Sequence, residues 1–201
     1  MRVVTFAGAG GNEVVSLTER PDPVPAAGEV IVAARFAGVN WADVAQRRGS
    51  YPPPPGAPQD IPGLEVAGTV VAAGDAVRGW RAGDRVFGLV GGGGLADRVA
   101  VHERHVVAIP DGVADDVAAA IPEAYITAHD AVFSQAGLEL GEVLLVNGAN
   151  GAVGSAGVRL ALAAGARVVA CGISFAAACR MPLKRRISSR KCCTNSSLRI
   201  A

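Results

Sequence analysis

The sequence Val143-Leu-Leu-Val-Asn-Gly-Ala-Asn-Gly-Ala-Val-Gly154 is the most informative stretch of this chain. It predicts a buried strand over Val143–Val146, a turn built from small residues, and then an alanine-rich helix. A second valine-rich strand, Arg167–Cys171, follows. A β-α-β unit with such a turn lets the backbone approach a pyrophosphate and directs a helix N-terminus towards it. The sequence therefore predicts a nucleotide-binding site in this unit.

Charge is distributed unevenly along the 201 residues. Residues 174–201 contain seven basic residues and no acidic one, whereas residues 1–173 contain 12 basic and 18 acidic residues, a net charge of −6. The tail is compatible with a disordered basic extension, with a nucleic-acid-binding arm, or with an out-of-frame translation product. We favour the third interpretation, because an open sheet does not end after two parallel strands with its other edge unpaired.

Targeting and cysteine patterns favour a cytoplasmic protein. The N-terminus lacks the basic region and long apolar core of a signal peptide. The apolar run over residues 143–173 contains Arg159, Arg167 and many glycines, so no membrane span is predicted. The four cysteines form neither a C-x-x-C motif nor a cluster with histidine, which supports neither a disulfide framework nor a zinc site.

Residues 1 to about 110 predict a barrel-like β domain, because valine-rich runs alternate with Gly, Pro, Asp and Asn punctuation. The predicted strands are Val3–Ala7, Val14–Leu17, Glu29–Val39, Val66–Ala72, Arg85–Val90 and Asp97–Val107. One helix is expected among them, over Trp41–Arg48, with Asn40 at its N-cap.

The sequence pattern changes after Asp111, where helices are predicted over Asp115–Ile121 and Glu123–Gln135 before the β-α-β unit begins. The predicted fold class is therefore a β-rich, barrel-like domain followed by the start of an α/β Rossmann domain. We place the β domain at residues 1–122, the partial nucleotide-binding domain at 123–173 and the basic tail at 174–201.

Six short motifs occur in a fixed order along the chain. They are Phe36-Ala-Gly-Val-Asn-Trp-Ala-Asp43, Arg48-Gly-Ser-Tyr-Pro52, Pro62-Gly-Leu-Glu-Val-Ala-Gly-Thr-Val70, Gly83-Asp-Arg-Val-Phe-Gly88, Ala124-Tyr-Ile-Thr-Ala128 and Gly148-Ala-Asn-Gly-Ala-Val-Gly154. Together they resemble the zinc-free quinone oxidoreductases of the medium-chain dehydrogenase/reductase superfamily, the relatives of zeta-crystallin. The resemblance covers residues 1 to about 173, so we interpret the chain as a C-terminally truncated member.

This resemblance implies a GroES-like β domain packed on a Rossmann domain, with NADPH in the cleft between them and hydride transfer to a quinone or enone-like acceptor. Zinc-dependent relatives carry a cysteine near position 40 and Gly-His-Glu where this chain has Gly63-Leu64-Glu65. Both differences remove metal ligands, so no catalytic zinc is expected. No nucleic-acid or membrane partner is expected, and a full-length protein would be compatible with a homodimer.

Three residues are candidates for catalysis by the same resemblance. Asn40 corresponds to a polar residue near the nicotinamide ribose or the acceptor, Tyr51 to a tyrosine facing the acceptor, and Thr127 to a threonine near the nicotinamide and phosphates. Each also has a structural alternative. Asn40 would be a helix cap, Tyr51 a half-buried ring beside a proline-rich loop, and Thr127 a hydroxyl bonded to its own helix.

The predicted cofactor-binding residues are Asn40, Thr127, Gly148, Ala149, Asn150, Gly151, Ala152, Val153 and Gly154. Gly151 would admit the pyrophosphate, and Gly154 would let the helix pack closely on the strand. Asn150 stands where the family usually has serine, and asparagine tolerates a left-handed backbone. No acidic residue follows the second strand, which favours NADPH over NAD.

The predicted function is that of an NADPH-dependent oxidoreductase whose turnover is weak or absent, because the later Rossmann strands are missing. A non-catalytic fragment or interaction module is the alternative from another class. An enoyl reductase of a polyketide assembly line shares many of the motifs, but the free Met1 start and the stretch Arg48-Gly-Ser-Tyr-Pro52 favour a stand-alone quinone reductase.

Overall fold

A computed structural model of the chain describes residues 1–172 and 198–200. It divides into two compact units, of which the first is Met1–Glu123 and the second begins at Ala124. Each unit has hydrophobic clusters of its own. The predicted strand-rich beginning and the later β-α-β unit therefore lie in different units.

The first unit is built on an antiparallel sheet with the strand order β6-β3-β4-β5-β7. Its strands are β3 (Glu29–Phe36), β4 (Glu65–Ala73), β5 (Arg85–Leu89), β6 (Arg98–His102) and β7 (Val106–Ala108). Alternate valines point into one cluster, which contains Val30, Val32, Val66, Val70, Val86, Val90, Val99, Val101 and Val106. This alternation has the period of a half-buried strand, and burying branched side chains on one face stabilises the sheet.

A two-stranded hairpin, β1 (Arg2–Phe6) with β2 (Val15–Glu19), lies against the segment that leads into β6. Val3 forms an isolated bridge with Ala96, and the Val4 N–H donates to the Leu95 carbonyl at 2.9 Å. Val3 is almost fully buried. The hairpin thus belongs to the core of the first unit.

Three short helices precede β8, and one helix and one strand differ from the sequence prediction. The helices are α1 (Trp41–Arg47), α2 (Asp115–Ala119) and α3 (Pro122–His129). The predicted helix Glu123–Gln135 is α-helical only to His129 and continues as wider π-helical turns over Asp130–Gln135. The predicted strand Asp97–Val107 is interrupted by a 3₁₀ turn at Glu103–His105, where the Glu103 carboxylate accepts the Arg78 N–H at 3.0 Å.

The second unit contains the predicted β-α-β arrangement. Strand β8 (Val143–Asn147), helix α4 (Ala152–Ala163) and strand β9 (Arg167–Cys171) follow one another, and β9 pairs parallel with β8. Leu144 and Val146 are fully buried against α4 residues such as Ala161. The predicted fold class, a β-rich domain followed by the start of an α/β domain, is confirmed.

Strand β10 (Leu198–Ile200) pairs antiparallel with β8, so that β8 lies between β10 and β9. Leu198, Arg199 and Ile200 are paired with Val146, Leu145 and Leu144 of β8. The interpretation of residues 174–201 as a disordered or out-of-frame basic tail stays a prediction. Its part over residues 174–197 and 201 lies outside the described residues.

Candidate functional site

The turn after β8 is closed by its own backbone. The Gly151 N–H donates to the Gly148 carbonyl at 2.9 Å, and the Ala149 N–H donates to the Cys171 carbonyl at the end of β9 at 2.9 Å. Gly148 carries the left-handed backbone, with φ of 71°. Among the described residues only glycines have positive φ, so Asn150 does not use the left-handed conformation that the sequence analysis invoked for it.

Gly154 lies directly against this turn. A Cβ at Gly154 would come within 2.2 Å of the Gly148 carbonyl oxygen and 2.9 Å of the Ala149 Cα. Only hydrogen fits in such a space, so the first turn of α4 packs directly on the loop backbone at Gly148 and Ala149, whereas the sequence predicted a contact with the strand itself.

The N-terminus of α4 has no side-chain cap among the described residues, because the N-cap residue is Gly151. Its first turn contains no acidic residue, and the Ser155 hydroxyl donates back to the Ala152 carbonyl at 2.9 Å. The first N–H groups of a helix have no intrahelical acceptor and carry partial positive charge. Small residues and backbone N–H groups without intrahelical acceptors suit an anionic group such as a pyrophosphate.

Asn40 and Asp43 form a capping box at the start of α1. The Asp43 carboxylate accepts the Asn40 N–H at 2.7 Å, and its second oxygen accepts the Gly63 N–H at 2.9 Å. Asp43 is only 4% exposed. Its two hydrogen bonds connect α1 to the segment before β4. The sequence predicted the helix cap at Asn40 but not the hydrogen bond from Gly63 to Asp43.

Glu65 meets Asn40 from the other side. One carboxylate oxygen accepts the Asn40 Nδ2–H at 2.8 Å, and the other accepts the Glu123 N–H, in the first turn of α3, at 2.9 Å. Glu65 is 3% exposed. No local pattern announces this link, because Asn40 and Glu65 are 25 residues apart in sequence.

The remaining predicted site residues are distributed over both units. Tyr51 is 40% exposed in the loop after α1, close in sequence to Trp41, which is 74% exposed and has the Arg48 guanidinium 5.5 Å from its ring centre. Thr127 is half-buried on α3. Asn40 and Tyr51 belong to the first unit, whereas Thr127 and the Gly148–Gly154 turn belong to the second. Their functional roles stay predictions.

A cavity of about 460 Å³ in the second unit was not foreseen. It is lined by Tyr125, Ile126, His129, Asp130, Ser134 and Leu160. The helical spacing of Ile126, His129 and Asp130 is the signal that places these side chains on one face. The cavity adjoins the π-helical turns that follow α3.

The carboxylates whose pKa is shifted, those of Glu13, Asp22, Asp97 and Glu103, lie outside the candidate site. A hydrogen bond from the Arg2 guanidinium lowers the pKa of Asp97, and the N-terminal amine lowers the pKa of Asp22. Residues 1–172 contain no cluster of three or more His, Cys, Asp or Glu side chains suited to a metal ion. None of the helices in this part of the chain has the length and apolar character needed to cross a membrane.

Comparison with known proteins shows which fold the chain shares. Residues 26–111 match the alcohol dehydrogenase GroES-like domain. The chain also matches the crystal structure of human synaptic vesicle membrane protein VAT-1 homolog-like protein, with a TM-score of 0.80 and 34% identity over 89% of this chain and 58% of that one. Its fold is that of the medium-chain dehydrogenase/reductase proteins. The predicted β domain is thus a GroES-like domain.

Two further solved structures match a similar part of the chain. The quinone oxidoreductase of Pseudomonas syringae has a TM-score of 0.76 and 30% identity over 84% of this chain and 52% of its own. The structure of mycobacterial Rv1454c complexed with NADPH has a TM-score of 0.76 and 30% identity, over 85% of this chain and 52% of its own.

Two curated relatives match most of the chain at the level of sequence. The VAT-1 homolog-like protein of Mus musculus is 37% identical over 160 residues, which are 80% of this chain and 38% of the relative. Erythronolide synthase EryA2 of Saccharopolyspora erythraea is 43% identical over 166 residues, 81% of this chain and 4% of that protein. The chain therefore spans well under two thirds of the relatives that it matches.

Proposed function

We propose that this chain binds NADPH through the turn Gly148–Gly154 and is part of an oxidoreductase that transfers hydride to a quinone or enone-like acceptor. The observation that carries the proposal is the uncapped N-terminus of α4 behind a turn so close that Gly154 has no room for a Cβ. Support for NADPH comes from Rv1454c, and support for a quinone comes from the P. syringae enzyme.

In this proposal NADPH supplies the hydride when it is bound, and the residues of the chain position the cofactor and the acceptor. The backbone N–H groups of Ala152 and Val153 hold the pyrophosphate at the start of α4. Asn40 and Thr127 orient the nicotinamide end, and Tyr51 contacts the acceptor. Asn40 and Leu64 offer neither a thiolate nor an imidazole, so we propose that the reaction proceeds without zinc. We also propose that the protein acts in the cytoplasm.

A second candidate for the acceptor is an enoyl thioester. The similarity to the crystal structure of the CurK enoyl reductase, with a TM-score of 0.78 and 28% identity, favours it. The two candidates predict different acceptors for the same cofactor. NADPH oxidation measured in parallel with a benzoquinone and with a crotonyl thioester separates them, because the preferred acceptor will be reduced with the higher kcat/KM.

The decisive test is made at Gly151, the N-cap of α4, with isothermal titration of NADPH. Gly151 has an ordinary extended backbone, and a Cβ there would lie 3.4 Å from the Gly148 carbonyl oxygen, so side chains are tolerated. Gly151→Asp should keep or raise the thermal stability, because Asp is a favourable N-cap residue. It should weaken NADPH binding by more than about tenfold, because its carboxylate accepts from the first N–H groups of α4 and repels the pyrophosphate.

Gly151→Ser is the matched control. Serine caps the helix in the same way but carries no charge, so its loss of NADPH affinity should be clearly smaller than that of Gly151→Asp. If Gly151→Asp binds NADPH as tightly as the parent chain, the pyrophosphate does not bind at α4 and the proposed site is wrong. If the parent chain binds no NADPH, the proposed function is wrong and the alternative of a non-catalytic interaction module is favoured.

A further inference from the structure

Glu65 is a buried carboxylate whose two oxygens have different tasks. One accepts the Asn40 Nδ2–H at 2.8 Å and the other accepts the Glu123 backbone N–H at 2.9 Å. Both donors are neutral, and the residue is 3% exposed. The backbone N–H cannot rotate away, so it fixes one oxygen, and the rigid carboxylate plane then fixes the other.

Gly38 limits the same carboxylate sterically. A Cβ at Gly38 would lie 1.9 Å from Glu65 Oε1 and 2.5 Å from its Cδ. Gly38 has no left-handed φ, so its backbone conformation is open to any residue. The lack of a side chain there serves to admit the Glu65 carboxylate.

The side-chain amide of Asn40 is consequently held in one of its two possible orientations. A carboxylate only accepts hydrogen bonds, so the Nδ2 side of the amide must face Glu65. The capping box turns the amide oxygen towards the Asp43 N–H. An amide has two N–H donors and two lone pairs, so one donor and one acceptor of this half-buried side chain stay available in a defined order.

We propose that Glu65 is the positioning residue of Asn40, which prevents its amide from turning over and so fixes how Asn40 meets the nicotinamide end of the cofactor or the acceptor. This inference rests on the proposed function. A ribose hydroxyl both donates and accepts, and an acceptor carbonyl accepts, so either group suits a donor and an acceptor side by side.

The test replaces Glu65 with glutamine. The new amide must turn its oxygen to the Glu123 N–H, which leaves its own N–H groups facing the Nδ2 of Asn40. Asn40 then either keeps a donor–donor contact or turns over and loses its cap. NADPH affinity should fall by about 5- to 10-fold, as for one displaced hydrogen bond.

A direct readout needs no cofactor. The side-chain amide resonance of Asn40, identified by its loss in Asn40→Asp, should shift in Glu65→Gln and in Gly38→Ala, which displaces the carboxylate without changing its chemistry. Val70→Ala is the control, because Val70 is fully buried on the same strand but belongs to the valine cluster. It should lower stability while leaving both the Asn40 resonance and the NADPH affinity unchanged.

The double variant Asn40→Asp with Glu65→Gln checks the pairing itself. In it the new amide accepts from the Glu123 N–H and donates to the new carboxylate, so every hydrogen bond has a partner again. Its thermal midpoint should exceed the value expected from adding the losses of the two single variants. Strict additivity would show that the two side chains are not coupled and would overturn the proposal.

The remaining outcomes are equally decisive. An Asn40 resonance that does not move in Glu65→Gln, or an NADPH affinity that falls as much in Val70→Ala, overturns the positioning role. If the parent chain fails to bind NADPH, the proposed function fails. The resonance and the double variant then still decide whether Glu65 orients the Asn40 amide.

Discussion

Replacing Gly154 with alanine should destabilise the second unit, although the same change in most helices does the opposite. Gly154 lies inside α4, and alanine is the better helix former by about 1 kcal/mol. Here the new Cβ would be 2.2 Å from the Gly148 carbonyl oxygen and 2.8 Å from the carbonyl carbon. The atoms would have to separate by more than about 1 Å to reach ordinary contact.

Two effects of opposite sign therefore compete. Overpacking of a tight contact costs about 1–3 kcal/mol, and the gain in helix propensity offsets up to about 1 kcal/mol of it. The Gly148 turn is also held by the bond from the Ala149 N–H to Cys171, so it cannot retreat without disturbing the end of β9. We expect a net loss of about 1–2 kcal/mol in the free energy of unfolding.

Urea denaturation followed by far-ultraviolet circular dichroism measures this loss, with Ser155→Ala as the neighbouring control. Ser155 is exposed on the same turn, so its replacement adds helix propensity without a clash. NADPH affinity should fall in Gly154→Ala and stay close to the parent value in Ser155→Ala. The reasoning is refuted if Gly154→Ala unfolds at the same or a higher urea concentration than the parent chain.

Two further predictions concern the first unit. Asp43→Asn should lower the free energy of unfolding by about 1–3 kcal/mol, because a neutral amide accepts from only one of the Asn40 and Gly63 N–H groups. A thermal midpoint equal to that of the parent chain would contradict this. Asp97→Asn should make the free energy of unfolding depend less strongly on pH under acidic conditions. The Arg2 hydrogen bond lowers the pKa of Asp97, so the stabilisation is present above the unfolded-state pKa and is lost as pH falls through the lower folded-state pKa. Urea midpoints between about pH 2 and pH 5 should fall less in the variant than in the parent, and equal falls would exclude this contribution.

The β-α-β unit could be predicted from sequence nearly to the residue, because its signals are local. Four apolar residues, glycine punctuation and an alanine-rich run mark β8, the turn and α4 within one short stretch. Helix α1 was predicted for the same reason, from an asparagine in front of a helix-forming segment. Local patterns also predicted a close approach at Gly154, although its contact is with the turn residues Gly148 and Ala149 rather than with the strand.

Contacts between distant residues could not be predicted in this way. The bond between Asn40 and Glu65 joins α1 to β4 across a loop, and neither residue type specifies the other as its partner. The break between β6 and β7 depends on Glu103, whose carboxylate accepts the Arg78 N–H from another loop. The pairing of Leu198–Ile200 with β8 likewise depends on a strand that lies about 50 residues earlier in the chain.

The separate hydrophobic clusters of the two units have a practical consequence for optical experiments. The chain has two tryptophans, Trp41 and Trp80, and both lie in the first unit. The Trp80 indole N–H donates to the Glu103 carbonyl, and its ring packs against the valine cluster. Tryptophan emission will therefore follow the opening of the GroES-like unit alone. If tryptophan emission and far-ultraviolet circular dichroism give different unfolding midpoints, the two units unfold as separate cooperative units.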